Sequence, residues 1–191
     1  VTTDATSEIQ FDIGYANHGG SGSAGNTTKL TTGGRQTATM YRQFRNVLLS
    51  PGTEKFTFTS APSASNDFYF VAFNRARMRE KLDPGNWELH LSGSSKKVGD
   101  NIRLIDDSGA TTNPTSGIGG RVFNVVTGSI STGTAVINTA AASNPGGGYG
   151  LFYPDLGIIV LNPHTCAQSC STIPIASGSN TNDGNDVKFF K

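Results

Sequence analysis

Short runs of alternating apolar and polar residues make up most of this sequence, and stretches of Gly, Ser, Thr and Asn separate them. A period of two places the apolar side chains on one face of a β-strand. Glycine readily adopts positive φ, and the small polar side chains bond to nearby backbone, so the intervening stretches favour turns. The chain is therefore predicted to be mainly β with a minor α component: antiparallel sheets in a sandwich-like arrangement, with one or two short helices.

Strands are predicted along most of the chain. In residues 7–15, Ile9, Phe11 and Ile13 alternate with polar neighbours, which indicates a first strand that is half-buried. Two aromatic runs, at 55–59 and 67–74, are divided by turn-forming residues and are predicted to pair as an antiparallel hairpin. Further strands are predicted at residues 86–91, whose apolar side chains should face a core, and at 101–105, 121–130, 134–138 and 156–161.

One segment, residues 36–49, has the periodicity of an amphipathic helix. Its predicted apolar stripe consists of Met40, Phe44, Val47 and Leu48. Residues 75–82 are also compatible with a short helix. The Gly/Ser/Thr-rich residues 17–35 cannot bury an apolar face, so they are predicted to form a long loop that reaches another subunit.

The chain is divided into two parts on these grounds. Residues 1–163 are predicted to form one β-rich structural domain, because no shift in composition marks a boundary within them. Residues 164–191 are predicted to be a loop-rich C-terminal segment. The apolar pair close to the last residue suggests that the native chain continues beyond it.

Charge in the sequence is low and balanced. The chain has 15 Lys and Arg residues against 14 Asp and Glu residues, which leaves a formal net charge of +1. Such a chain has no overall field to attract nucleic acid or an anionic membrane. No apolar stretch approaches the ~20 residues that span a bilayer. Neither nucleic acid nor a membrane is therefore predicted as a partner.

No catalytic constellation is recognisable in the sequence. Asp106 and Asp107 are adjacent and would point to opposite faces of a strand, so bonding to nearby turn backbone is predicted for them. His90 is predicted to face solvent or a partner from a strand, and His18 and His164 are interpreted as polar loop residues. No phosphate-binding, nucleophile-elbow or zinc-protease motif is present. The sequence thus predicts no enzyme, no catalytic residue and no cofactor.

Two cysteines, Cys166 and Cys170, lie four residues apart in the segment HTCAQSC. The spacing admits a small-loop disulfide, two ligands of a metal site, or two plain thiols. A loop this short is awkward for a disulfide, and His164 with two thiols lacks a fourth zinc ligand nearby. We interpret the pair as thiols in a loop and predict no bound metal.

The residues predicted to contact other subunits are of three kinds. Arg75, Arg77 and Arg79 form the densest basic cluster, and guanidinium groups suit pairing with carboxylates and carbonyls of a neighbouring chain. The Gly-rich loop that starts at His18 is predicted to reach a neighbour. Tyr153 is predicted to be an exposed aromatic side chain at such a contact.

Four segments resemble parts of large structural proteins from the tails or baseplates of contractile-tailed phages (myoviruses), especially cyanophages. They are residues 41–57, 74–93, 120–129 and 149–163, and the strings LDPGNWELHL and FYPDLGIIVLNP are the most specific parts. The resemblance implies a virion protein that oligomerises and docks onto other virion structural proteins. The cysteine segment departs from the pattern, which leaves the role of the C-terminal part open.

Two other functions share this composition. A receptor-binding or tail-fibre module would expose an aromatic and carboxylate groove for sugars. A secreted surface or filament protein would suit the low charge and a Cys166–Cys170 bridge. An enzyme ranks last, because no set of residues supports one.

Overall fold

The structure, a computed structural model, describes residues 8–23, 35–59, 61, 63–91, 102–110, 115–130, 134–136 and 148–169. The strands are β1 (Phe11–Asn17), β2 (Asp67–Phe73), β3 (Leu89–Leu91), β4 (Ile102–Asp106), β5 (Thr115–Gly117), β6 (Gly120–Ser129), β7 (Thr134–Val136), β8 (Gly150–Tyr153) and β9 (Ile158–Leu161). The helices are α1 (Gln36–Leu48) and α2 (Pro163–Ser169), with a 3-10 turn at Arg75–Arg77.

All the strand pairs in the described residues are antiparallel. The strand order is β1-β2-β9-β8-β6-β4-β3, and β5 and β7 also pair with the long strand β6. This confirms the prediction of a mainly β, antiparallel protein with two short helices. β1 and β3 lie at the two ends of this strand order in the described residues, and we call them the two edges of the sheet.

The sheet carries an apolar core on each of its faces. On one, which we call the front face, Tyr69 and Val71 of β2 pack with the side chains of β4, β6, β8 and β9. On the other, the helix face, Phe68 and Phe70 of β2 pack with α1 and with the segment that follows α1. Successive residues of a strand point to opposite faces, so β2 contributes to both cores. The interior strands are therefore apolar on both sides.

The predicted helix α1 is confirmed, and its predicted apolar stripe is right for Leu48, which is buried, and for Phe44, which packs against the helix-face core, but wrong for Met40 and Val47. Met40 and Val47 are 38% and 49% exposed, whereas Thr37, Ala38, Tyr41 and Leu48 are buried. The Tyr41 ring packs in the core of the helix face, and its hydroxyl donates a hydrogen bond to the backbone oxygen of Ser65 at 2.7 Å. A tyrosine can be buried when its hydroxyl has a partner. The buried side of α1 is thus centred on Tyr41.

The predicted hairpin between residues 55–59 and 67–74 is wrong. A single bridge between Phe56 and Ser65 is the only ladder contact described for the first run, and β2 instead pairs with β1 and β9. Phe56 and Phe58 are 0% and 2% exposed and cover the helix face. The aromatic run therefore supplies a layer over the sheet rather than a strand within it.

The predicted loop around the first cysteine is also wrong, because residues 163–169 form α2. Pro163 opens this helix, a position where its missing N–H is not needed. Cys166 is fully buried in the front-face core. Cys170 and the rest of the predicted C-terminal segment lie outside the described residues, as does most of the predicted loop at 17–35.

Candidate interaction surface

The outer edge of β1 is a row of backbone groups directed away from the sheet. The backbone N–H of Asn74 donates to the oxygen of Gln10 at 2.9 Å, and that of His18 donates to Asn66 at 2.7 Å. Paired residues of an antiparallel ladder alternate between hydrogen-bonded and non-hydrogen-bonded pairs. The even-numbered residues of β1 therefore bond to β2, and Phe11 and Ile13 direct their N–H and C=O groups outward. Within the described part of the chain, nothing bonds to these outward groups.

The side chains along this edge are large, apolar and exposed. Ile9, Phe11 and Ile13 are 68%, 45% and 43% exposed, and we call them the apolar strip. Phe11 and Ile13 lie opposite Phe73 and Val71 of β2, so the strip continues the front face beyond its buried core. The predicted first strand is confirmed, but these three apolar residues lie on its exposed side.

The small residues of β1 explain which of its two sides is buried. Gly14 and Ala16 point toward the helix face, where Ala16 is fully buried. A Cβ atom on Gly14 would lie 2.4 Å from the nearest atom of the Phe70 ring. The small residues thus admit the core of the helix face, which leaves the large ones on the uncovered side. Gly14 and Ala16 were the available signal in the sequence for this orientation.

The predicted arginine cluster lies near one end of the apolar strip. The guanidinium of Arg77 pairs with the Glu8 carboxylate, next to Ile9. Arg75 donates to the backbone oxygen of Asp155 at 3.1 Å. Arg79 is exposed and has no ion pair among the residues described. Two of the three arginines thus make contacts inside the chain, and their pairing with a neighbouring subunit stays a prediction.

His18 lies just beyond the other end of β1. Its side chain is exposed, and its ring meets the Tyr41 ring edge to face at a centroid distance of 5.3 Å. The two ends of β1 therefore carry the predicted contact residues Arg77 and His18. The strip itself had not been singled out as a contact surface.

The prediction that Tyr153 is exposed is wrong. This side chain is 1% exposed and belongs to the helix-face core, and burial raises the pKa of its phenol well above the ordinary value. Its strand, β8, contributes Phe152 to the front-face core and Tyr153 to the helix-face core, so both faces of β8 are covered. Tyr153 therefore stabilises the fold and is removed from the candidate contact residues.

The buried carboxylates of Asp106 and Asp107 accept hydrogen bonds from backbone N–H groups. Asp106 accepts from the backbone N–H of Gly85 at 2.8 Å and of Ser108 at 3.0 Å, which confirms its predicted turn role. Asp107 accepts from both the backbone and the side-chain amide of Asn124, at 2.9 and 2.8 Å. These bonds hold both carboxylates in fixed positions within the fold.

A third carboxylate, Asp155, holds a turn in place. The backbone N–H of Arg121 donates to it at 3.0 Å, and this bond, aided by the Arg121 guanidinium, holds the pKa of Asp155 below its usual value. Gly120 has a φ of +89°, and a Cβ there would lie 2.4 Å from the nearer carboxylate oxygen. The contact therefore requires glycine at this position and fixes the start of β6.

No group of three His, Cys, Asp or Glu side chains in the described ranges is placed to hold a metal ion. His164 lies on the exposed side of α2, with Nε2 3.7 Å from Asp67 Oδ1. Among the helices described, none has the length and apolar character needed to cross a bilayer. The described residues thus offer no metal site, and the apolar strip is the surface best suited to bind a partner.

Comparison of the chain with protein-family models, with curated proteins and with solved structures finds no match. Function is therefore inferred from this chain's own residues.

Proposed function

We propose that this chain is a structural subunit that assembles with other protein chains through the edge of β1, as an oligomerising scaffold in a phage tail or baseplate. The apolar strip beside unpaired backbone groups is the observation that supports assembly. The virion setting is supported by the four sequence segments that resemble tail and baseplate proteins. The two parts of the proposal therefore have separate grounds and separate tests.

The apolar strip favours contact with another chain because it leaves apolar surface in water. Full burial of a side chain such as Ile or Phe contributes about 1.5–3 kcal/mol. The strip residues are roughly half exposed, so covering each of them would contribute about half of that range. The strip alone would give a weak contact, and backbone pairing is needed to add to it.

The outward backbone groups of Phe11 and Ile13 supply that second contribution. Edge strands that stay single are usually short, or carry Lys, Pro or a bulge that blocks pairing. β1 is seven residues long and contains neither Lys nor Pro. Its seven residues pair with β2 in continuous register, without a bulge. The edge is therefore suited to addition of a strand from another chain.

The assembly part of the proposal is tested by placing charge on the apolar strip. In the double variant Phe11→Lys/Ile13→Lys, two ammonium groups would be buried wherever a partner covers the strip. We expect this variant to be absent from purified particles while its free form keeps its melting temperature. The matched control is Met40→Lys/Val47→Lys, which changes two similarly exposed apolar residues on α1 and should be incorporated normally.

The virion part is tested by mass spectrometry of phage particles purified from a lysate in which this gene is expressed. The chain should sediment with the particles at a fixed ratio to other tail proteins. Its recovery only in the soluble fraction would contradict the virion setting. Incorporation of the strip variant at the wild-type level would contradict assembly through β1. Binding of the soluble chain to a glycan array would favour a receptor-binding module instead.

A further inference from the structure

We propose that residues 9–13, which comprise the start of β1 and the two residues before it, pair with the same residues of a second copy of this chain, antiparallel, about a twofold axis that passes through Phe11. This inference rests on the proposed assembly function and names its partner. It follows from the order of side chains along β1, from the direction of the backbone groups and from the positions of polar residues. Each of these can be checked against other registers of the same two strands.

The side-chain order at this edge is symmetric about Phe11. Residues 9–13 read Ile, Gln, Phe, Asp, Ile, so each apolar or polar residue has one of the same kind at equal distance on the other side. A twofold interface requires the same patch on both copies to be complementary to itself. With the axis at Phe11, Ile9 of each copy lies opposite Ile13 of the other, and the two Phe11 rings meet. All members of the apolar strip then face apolar partners.

The backbone directions agree with this axis. Phe11 and Ile13 point their N–H and C=O groups outward, so residues of odd number form the hydrogen-bonded pairs across the new edge. An axis at Phe11 pairs odd residues with odd residues, and the central Phe11–Phe11 pair exchanges both of its bonds. At the two outer pairs the Ile9 oxygen already accepts from the Asn74 side-chain amide at 3.4 Å, so it would accept from Ile13 of the second copy with its other lone pair. The even-numbered residues already bond to β2, so the two ladders use different backbone groups.

The polar residues distinguish pairing about an axis at Phe11 from pairing about an axis at a nearby residue. With the axis at Phe11, Gln10 lies opposite Asp12 of the second copy, so a side-chain amide can donate to a carboxylate at two symmetric places. An axis at Asp12 would place two carboxylates opposite each other, which is unfavourable. An axis at Ile13 would place Ile9 opposite the polar Asn17. Of these three axes, the one at Phe11 avoids both faults and is the one that pairs all members of the apolar strip with each other.

Joining two copies in this way also extends the front-face core. Tyr15 and Phe73 are half-buried at the border of that core, and the apolar strip lies next to them. Two strips in contact would link the two front-face cores into one apolar layer. The shared surface is small compared with stable interfaces, which bury upward of about 1,000 Å², so a dissociation constant on the order of micromolar is expected.

The register is tested with opposite charges at one exposed position, Gln10. Gln10→Glu places a carboxylate opposite Asp12 of the second copy at both symmetric places, and Gln10→Lys places an ammonium there. Sedimentation velocity of the 191-residue chain over a concentration series gives the dimer dissociation constant. We expect it to rise about fivefold in Gln10→Glu and to fall about threefold in Gln10→Lys, from typical cross-strand pair strengths. Gln43→Glu and Gln43→Lys, on the exposed side of α1, are the matched controls.

The outcomes separate this inference from the proposed function. A wild-type chain that stays monomeric at hundreds of micromolar would overturn pairing with a second copy. If the wild type is monomeric but Phe11→Lys/Ile13→Lys is excluded from particles, the two results together support a different partner at the same edge. The register would be overturned if the dimer dissociation constant changed in the same direction in both Gln10 variants, or changed in neither.

Discussion

The two edges of the sheet are built in opposite ways. β3 has three residues, and Glu88 lies beside it with its carboxylate 2.5 Å from His90 and 3.7 Å from Arg103. β1 has seven residues with one charged side chain, Asp12, and together with Ile9 just before it carries the apolar strip. Short length and charged side chains are common protections of an edge against pairing with other chains. The contrast supports the view that β3 is protected and β1 is built to be joined.

The same difference appears in where the large apolar residues point. Leu91 of β3 is 8% exposed and belongs to the front-face core, whereas Phe11 of β1 is 45% exposed. A side chain in the chain's own core stabilises the folded chain, and a side chain on an uncovered edge stabilises an assembly. Stability and assembly should therefore respond differently to substitutions at the two edges.

The largest difference is expected between Leu91→Ala and Phe11→Ala. Loss of a buried leucine side chain leaves a cavity and should lower the free energy of unfolding by about 2–4 kcal/mol. Phe11→Ala should lower it by only about 1 kcal/mol in dilute, unassembled protein, because about half of that side chain is already in water. Urea unfolding of both variants measures this. Equal losses would mean that the strip belongs to the chain's own core.

A second difference is expected in acid. The backbone N–H of Ile130 donates to Glu88 at 3.0 Å, and this bond, with help from Ser129 and His90, lowers the pKa of Glu88. The folded pKa lies below the unfolded value of about 4.3, so the stabilisation is complete above that value and is lost as the pH falls through the folded pKa. The free energy of unfolding should therefore depend on pH below about 5, and Glu88→Gln should flatten that dependence.

Urea midpoints measured at a series of pH values give both profiles. Glu54→Gln changes an exposed carboxylate outside the sheet and serves as the control. A Glu88→Gln profile parallel to that of the wild type would show that the charges near β3 do not stabilise that edge.

The smallest effect is expected from Arg77→Ala. Arg77 and Glu8 are 40% and 58% exposed, and exposed ion pairs contribute under about 1 kcal/mol. Arg79→Ala, which removes an exposed arginine without an ion pair among the described residues, is the matched control. A loss well above that of the control, measured by urea unfolding, would show that the pair braces the start of β1 against β2.

Local sequence patterns predicted most of the strands and helices, but they did not predict which strands pair with each other. The strands at 101–105 and 121–130 and the helix at 36–49 were predicted because their periodicity is set by adjacent residues. The pairing of β2 with β9 joins residues far apart in the chain, and no local pattern distinguishes it from a hairpin with residues 55–59.

The side that each element buries was also only partly predictable. The periodicity of α1 predicted Met40, and not Tyr41, on the buried side. Tyr41 is buried because its hydroxyl bonds to the oxygen of Ser65, and the local sequence pattern does not show that partner. The alternation of Ile9, Phe11 and Ile13 correctly predicted a strand. It could not show that the covering layer for these side chains is missing from the described part of the chain.

Amide hydrogen exchange, resolved residue by residue along β1, tests the central claim most directly. In the dilute chain, Asp12 and Gly14 should exchange slowly because their N–H groups bond to β2, while Phe11 and Ile13 should exchange quickly. On assembly, the amides of Phe11 and Ile13 should become protected as well, which removes the alternation. Phe11 and Ile13 amides that are already slow in the dilute chain, or that stay fast in the assembled state, would contradict assembly through the edge of β1.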